Sequence, residues 1–121
     1  MTKIAFATAV LIFSSATAHA ESGIASRYGG DDGLCGGPIA SGRLIERSGR
    51  LNCSALHAAH KTLRFGAMVR VTNLHNRRSV VVEIVDRGPF VRGRIIDVTP
   101  AAAHVLGFSG LAPVSLEIVS R

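Results

Sequence analysis

Short stretches in which apolar and polar residues alternate run along the chain after residue 20. The period of two is typical of β-strands with one buried face. It predicts strands over residues 23–28, 68–72, 79–86, 94–98 and 113–119. The segment 79–86 has the highest density of Val and Ile, and we expect it to be buried on both faces. The pattern therefore predicts a mostly β fold.

One segment carries helix signals instead. Thr99 is a favoured N-cap residue, and Pro100 suits the first position of a helix. Residues 101–106 are then mostly Ala, Val and Leu, and Gly107 is placed to end the helix. Because about six short strands fall within about 100 residues, the pattern favours a closed β-barrel with one or two short helices.

The first 20 residues have the features of a secretory signal peptide. Lys3 precedes an apolar run over residues 4–13, and Ala18-His19-Ala20 fits a signal peptidase site. A membrane anchor is the alternative, but this run is shorter than the roughly 20 residues that span a bilayer. We therefore expect cleavage after Ala20, no stable membrane anchor afterwards, and a periplasmic or secreted domain over residues 21–121.

The charge of the chain is basic, and this favours anionic partners. The formal net charge is +6, and loss of residues 1–20 removes one Lys and no acid. Cell-wall polymers, lipid head groups and nucleic acid are all candidates on charge alone. Scattered Arg residues, one Tyr and no Trp argue against nucleic acid, which needs stacking platforms. Nothing in the sequence signals oligomers, and we expect a monomer.

Cys35 and Cys53 are the only cysteines. In a small exported domain an even number of cysteines favours a disulfide, and two Cys without CxxC spacing make a poor metal pair. The disulfide would constrain residues 29–53, which hold seven of the thirteen glycines and form a long predicted loop. His57 and His60 lack further nearby ligands, and no phosphate or dinucleotide motif occurs, so we expect neither metal nor cofactor.

Asp86 is the first candidate for chemistry. It ends the strongest predicted strand and precedes Arg87-Gly88-Pro89. A protonated Asp held there can act as a general acid, while the structural alternative is an Asp that caps the turn. His60 and Asp97 are the next candidates, with a hydrogen-bonded core His and a strand-to-helix corner as their structural alternatives.

Several motifs together resemble one family. Residues 23–29 are similar to G-x-A-S-x-Y-G, and residues 58–66 to A-A-H-(K/R)-T-L-P-F-G. Residues 85–90 are similar to N-D-R-G-P-F, and residues 93–98 to G-R-I-I-D-L. The order and spacing resemble those of rare lipoprotein A, the septal-ring lytic transglycosylases, over almost all of residues 23–119.

The resemblance implies a six-stranded double-psi β-barrel whose partner is the glycan strand of peptidoglycan, in particular strands stripped of peptide stems. It implies cleavage between N-acetylmuramic acid and N-acetylglucosamine, with a 1,6-anhydro sugar as product and no cofactor. By the family match, Asp86 is the expected acid and then base, and His60 and Asp97 flank it. Substrate contacts are expected from Tyr28, Ser41, Arg87, Pro89, Phe90 and Arg94.

This chain also departs from the family pattern. Where the family has Ser-Gly-Glu, it has Ser41-Gly42-Arg43, and Glu46 in the same loop is the candidate to replace the missing acid. The loss of that Glu keeps a second hypothesis open. In it, the barrel is a non-catalytic, expansin-like module that binds glycan or loosens the wall.

Overall fold

The computed structural model describes residues 20–28 and 52–120, which form six strands and one helix. All the predicted strands are present, with ends that differ by a few residues. The elements are β1 (Glu21–Arg27), β2 (His57–Ala59), β3 (Met68–Asn73), β4 (Ser79–Asp86), β5 (Arg94–Val98), α1 (Pro100–Leu106) and β6 (Ala112–Ser120).

The strands close into a barrel in the order β1-β5-β2-β4-β3-β6, and β6 returns to β1. The pairs β1–β5 and β2–β4 are parallel, and the other pairs are antiparallel. Closure pairs every strand on both sides, so no sheet edge is left exposed. The mostly β, six-stranded barrel with a short helix is confirmed.

The inward faces of the strands and one face of α1 build the core. Side chains that point inward are mostly Val, Ile and Ala, which fit the narrow interior of a small barrel. The core residues are Ala25, Ala58, Ala67, Val69, Val71, Val80, Val82, Ile84, Ile96, Val98, Ala102, Ala103, Leu106, Ala112, Val114 and Leu116.

Strand β4 alternates more strictly than its composition suggests. Val80, Val82 and Ile84 are buried, whereas Val81 and Glu83 are only half-buried. The expectation that both faces of this strand are buried is therefore wrong for most of its length. The reason is that its outer face meets solvent instead of a second layer.

Strand β2 was not predicted as a strand. It has three residues, two of them Ala, and Ala has no preference for strands. It exists because it lies between β4 and β5, with Ala58 and Ala59 almost fully buried. Pairing with β4 and β5, which a local sequence pattern does not show, therefore stabilises this strand.

The helix signals are confirmed. Thr99 Oγ1 accepts a hydrogen bond from the amide of Ala102 at 3.4 Å, and Pro100 occupies the first turn. Gly107 ends the helix with φ 76°, and its amide donates to the carbonyl of Ala103. No helix in the described part of the chain is long and apolar enough to cross a membrane.

We expect Gly107→Ala to lower the free energy of unfolding by about 1–2 kcal/mol, because a left-handed conformation costs a residue with a Cβ that much. A Cβ at this position would also lie 2.6 Å from Arg78 Nη1. Gly110→Ala is the matched control, since a Cβ there meets nothing within 4 Å. Urea denaturation of both variants measures the effect, and equal losses would contradict it.

Candidate active site

Four residues in register form a line across β1, β5, β2 and β4. Ser26 pairs with Asp97, Asp97 pairs with Ala59, and Ala59 pairs with Asp86. Paired residues in adjacent strands point to the same face of a sheet, and the neighbours Ile96 and Ala58 point into the core. This line, which we call the acidic row, therefore lies on the outer face, with the small side chain of Ala59 between two carboxyl groups.

A β-bulge places Asp86 in the acidic row. Ala58 pairs with Ile84 but Ala59 pairs with Asp86, so Val85 is an extra residue in β4. Strict alternation after Ile84 would turn Asp86 toward the core. The bulge re-aims the side chain, as bulges near active sites commonly do.

Both carboxylate oxygens of Asp86 accept hydrogen bonds. Tyr28 Oη donates to Oδ2 at 3.1 Å, and the amide of Arg87 donates to Oδ1 at 2.9 Å. Oδ1 thus caps the turn, as the structural alternative predicted. Oδ2 instead accepts a hydrogen bond from Tyr28, which lies 58 positions away in the sequence. Two donors from different segments fix the plane of the carboxylate.

Tyr28 is buried beside both acids. Its side chain packs with Ala59 and Val85 in a small cluster outside the main core. Burial, the carboxylates of Asp86 and Asp97, and the hydrogen bond to Asp86 all raise the pKa of Tyr28 above its ordinary value. The Tyr28 hydroxyl therefore stays protonated and acts as a neutral donor.

Asp97 has a hydroxyl partner of its own. Ser26 Oγ donates to Asp97 Oδ1 at 3.4 Å, and Ser26 is itself buried. Ser26 was not predicted as a site residue, although it lies two residues before Tyr28 on the same strand face. That spacing is the signal that could have found it.

The His60 ring is held by other partners. Nδ1 accepts hydrogen bonds from the amides of Thr62 and Leu63, both at 3.1 Å, so the ring proton is on Nε2. Nε2 lies 2.8 Å from Glu21 Oε1. The backbone of His60 reaches the acidic row, because its amide donates to the carbonyl of Asp86 at 3.1 Å. No signal in the sequence pointed to Glu21.

A small cavity lies beside this ring. Its volume is about 210 Å³. Its polar wall comes from Glu21, His60 and Thr62, and its apolar wall from Leu63, Leu116 and Ile118. The ring of His60 thus faces a pocket at the start of β1, while its backbone contacts the end of β4.

We expect His60→Ala to lower the free energy of unfolding by about 1–3 kcal/mol, because two turn amides lose their acceptor. His60→Asn should recover most of this loss, since an Asn oxygen can accept from amides further along the chain. His60→Gln is the comparison that leaves the amides unpaired. If the Asn and Gln variants unfold alike in urea, the amide contacts do not carry the effect.

Arg87 holds the turn over residues 60–65. Its Nη1 donates to the carbonyl of Leu63 at 2.6 Å and to that of His60 at 3.1 Å. The guanidinium also lies 4.0 Å from the centre of the Phe65 ring. These contacts are structural, and the substrate contact expected of Arg87 stays a prediction.

The connection from β4 to β5 presents an aromatic side chain to solvent. Gly88 has φ 119°, a conformation that favours glycine, and it is buried. Pro89 follows half-buried, and Phe90 is 80% exposed. The amide of Arg94 closes the connection by donating to the carbonyl of Val91 at 3.1 Å. Phe90 is therefore available to a ligand four residues beyond Asp86.

Some predicted residues lie outside the described part of the chain. Ser41, Glu46 and Cys35 are among them, so their predicted roles stay predictions. Cys53 is described and is not a free thiol, but its pairing with Cys35 stays a prediction. Within residues 20–28 and 52–120, no three His, Cys, Asp or Glu side chains come together as a metal site.

A family model described as "Lytic transglycolase" matches residues 20–116. The chain belongs to this family. A relative from Nostoc sp., named "Probable endolytic peptidoglycan transglycosylase RlpA", is 54% identical over 101 residues. The alignment covers 82% of this chain but 26% of the relative, so the chain spans about a quarter of that protein.

Solved structures of distant proteins share the double-psi β-barrel of this family member. Streptomyces papain inhibitor superposes with a TM-score of 0.58 at 19% identity, over 83% of this chain and 94% of the inhibitor. An expansin from Clavibacter michiganensis, solved in complex with cellohexaose, gives a TM-score of 0.54 at 20% identity. That match covers 83% of this chain and 50% of the expansin. At these identities the likeness concerns the fold alone.

Proposed function

We propose that this member of the lytic transglycolase family cleaves peptidoglycan glycan strands between N-acetylmuramic acid and N-acetylglucosamine. The product is a 1,6-anhydro end. The observation that carries the proposal is the acidic row, in which Asp86 and Asp97 flank Ala59 on the outer face of the barrel. The name of the Nostoc relative supports peptidoglycan as the substrate class.

Asp86 serves first as acid and then as base. Its carboxyl proton passes to the glycosidic oxygen as the bond to the muramic acid C1 breaks, and positive charge develops on the ring. The C6 hydroxyl of the same sugar then bonds to C1, and the Asp86 carboxylate takes its proton. One proton leaves and one returns, so no water is consumed.

The surroundings of Asp86 support this exchange of a proton. The carboxylates of Asp86 and Asp97 both act on the Tyr28 hydroxyl, which lies beside the acidic row. Asp97 assists Asp86 from the other side of Ala59, and Ser26 orients Asp97.

Phe90 and Arg94 provide substrate contacts beside the acids. An exposed large aromatic side chain is typical of a binding surface, and Phe90 is the most exposed large apolar residue in the described part of the chain. Arg94 begins β5 and is half-buried there. Pro89 orients Phe90, Ser41 adds a hydroxyl, and Glu46 replaces the acid that the family has at position 43.

The protein acts outside the cytoplasm after cleavage at Ala20. The start of β1 at Glu21, directly after the proposed cleavage site, supports this processing. The Cys35–Cys53 disulfide then fixes the connection between β1 and β2, as suits an oxidising compartment.

The test is digestion of peptide-free glycan strands with the purified protein, followed by mass analysis of the products. We expect muramic acid ends that are one water lighter than ends made by hydrolysis. Heat-denatured protein is the control. Ordinary reducing ends would make the protein a hydrolase, and binding without any new ends would make it a non-catalytic glycan-binding module.

A further inference from the structure

Tyr28 is fixed on three sides. Its amide donates to the carbonyl of Val98 at 2.8 Å, which ties the end of β1 to β5. Its ring packs against Ala59 and Val85, and only 6% of the residue is exposed. The hydroxyl donates to Asp86 Oδ2 at 3.1 Å. A residue this buried offers little surface to a glycan, so its main partner is the carboxylate.

We propose that Tyr28 is a positioning residue, which holds the Asp86 carboxylate in the orientation from which it acts on the glycan. This inference rests on the proposed function. The last torsion of an Asp side chain is broad, so a single donor does not fix the plane of the carboxylate. The Arg87 amide fixes Oδ1 and the Tyr28 hydroxyl fixes Oδ2. Loss of the Tyr28 donor removes the contact that holds Oδ2.

The charge state of Tyr28 suits this role. Burial raises the pKa of Tyr28 above its ordinary value, and the carboxylates of Asp86 on β4 and Asp97 on β5 raise it further. Among the described residues, these two carboxylates are the acids that raise the pKa of Tyr28. The Tyr28 hydroxyl thus keeps its proton at neutral pH and remains a donor to Asp86 Oδ2.

Tyr28→Phe removes the donor and keeps the ring. We expect kcat to fall about tenfold to a hundredfold with little change in KM, since a small misplacement of a reacting group has effects of this size. The split between kcat and KM is the discriminating readout, because loss of a direct substrate contact would raise KM instead. Ser79→Ala, which removes an exposed hydroxyl at the far end of β4, is the control.

A merely structural role would lower the melting temperature of Tyr28→Phe without lowering kcat at a temperature where the variant stays folded. Wild-type kcat in the folded variant would overturn the proposal. A rise in KM at unchanged kcat would also overturn it, because that result assigns Tyr28 to substrate binding.

A second readout does not depend on activity. The chain has one Tyr and no Trp, so near-ultraviolet absorbance reports Tyr28 alone. In the folded wild type, monitored by circular dichroism, we expect no tyrosinate near the ordinary pKa of about 10. In Asp86→Asn the ionisation should begin at lower pH than in the wild type.

The two readouts separate the two proposals. Tyrosinate that forms near pH 10 in folded wild type, or an unchanged titration in Asp86→Asn, overturns the contact and with it the positioning role. The expected titration together with a wild type that makes no anhydro ends overturns the proposed function. In that case the contact stands, but it has no catalytic meaning.

Discussion

Asp86→Asn is expected to lower the rate of anhydro-end formation by about 10²–10⁴-fold, the range that a positioned acid–base group contributes. Asn has nearly the shape of Asp but does not carry the proton that the reaction moves. Its side-chain oxygen can still accept from the Arg87 amide, so the bulge and the turn should persist. Mass analysis of digested peptide-free glycan measures the rate, and co-sedimentation with sacculi should show binding retained.

Asp97→Asn is the matched comparison, because Asp97 lies on the other side of Ala59 in the same acidic row. We assign Asp97 an assisting role, so its loss should slow the reaction less than loss of Asp86. Ser79→Ala should react at the wild-type rate. Should Asp86→Asn keep most of its activity while Asp97→Asn loses it, the roles of the two acids are exchanged.

Local signals predicted most of the barrel. The helix was predictable from the sequence because its ends depend on local signals. Thr99 and Pro100 begin it and Gly107 ends it, each through contacts within a few residues. The five longer strands were predictable because their sequences alternate apolar with small or polar residues or are rich in Val and Ile. Strand β2 was not predictable, because its three residues are held in a strand by pairing with β4 and β5 on either side. Its neighbour His60 was named as a candidate from the sequence itself, and the motif resemblance then implied a place beside Asp86.

The sequence predicted only part of the candidate site. Asp86 and Tyr28 were each named, but a local pattern does not show that residues 58 positions apart share a hydrogen bond. The bulge at Val85 also has no local signature, although it decides which face Asp86 takes. The Glu21–His60 contact is hidden for the same reason, since its residues lie on strands that meet only in the closed barrel.

Arg87→Ala is expected to have the largest effect on stability among these variants. The guanidinium donates to two carbonyls of the turn over residues 60–65 and stacks on Phe65. Together these contacts predict a loss of about 2–4 kcal/mol in the free energy of unfolding. Urea denaturation measures it, and Arg87→Lys should recover only part, because an ammonium lacks the planar fork.

The same substitution should also lower activity, because the Arg87 amide holds Asp86 Oδ1 and the side chain of the same residue is bonded to the turn. A double-mutant cycle with Phe65→Leu separates the contributions. If the ring contact matters, the Phe65→Leu loss shrinks once Arg87 is already Ala. Strict additivity would mean that the ring contact contributes nothing. An Arg87→Ala variant as stable as the wild type would mean that the turn is held by its backbone and by His60. In the expected case, one arginine links the stability of the turn to the geometry of the carboxylate.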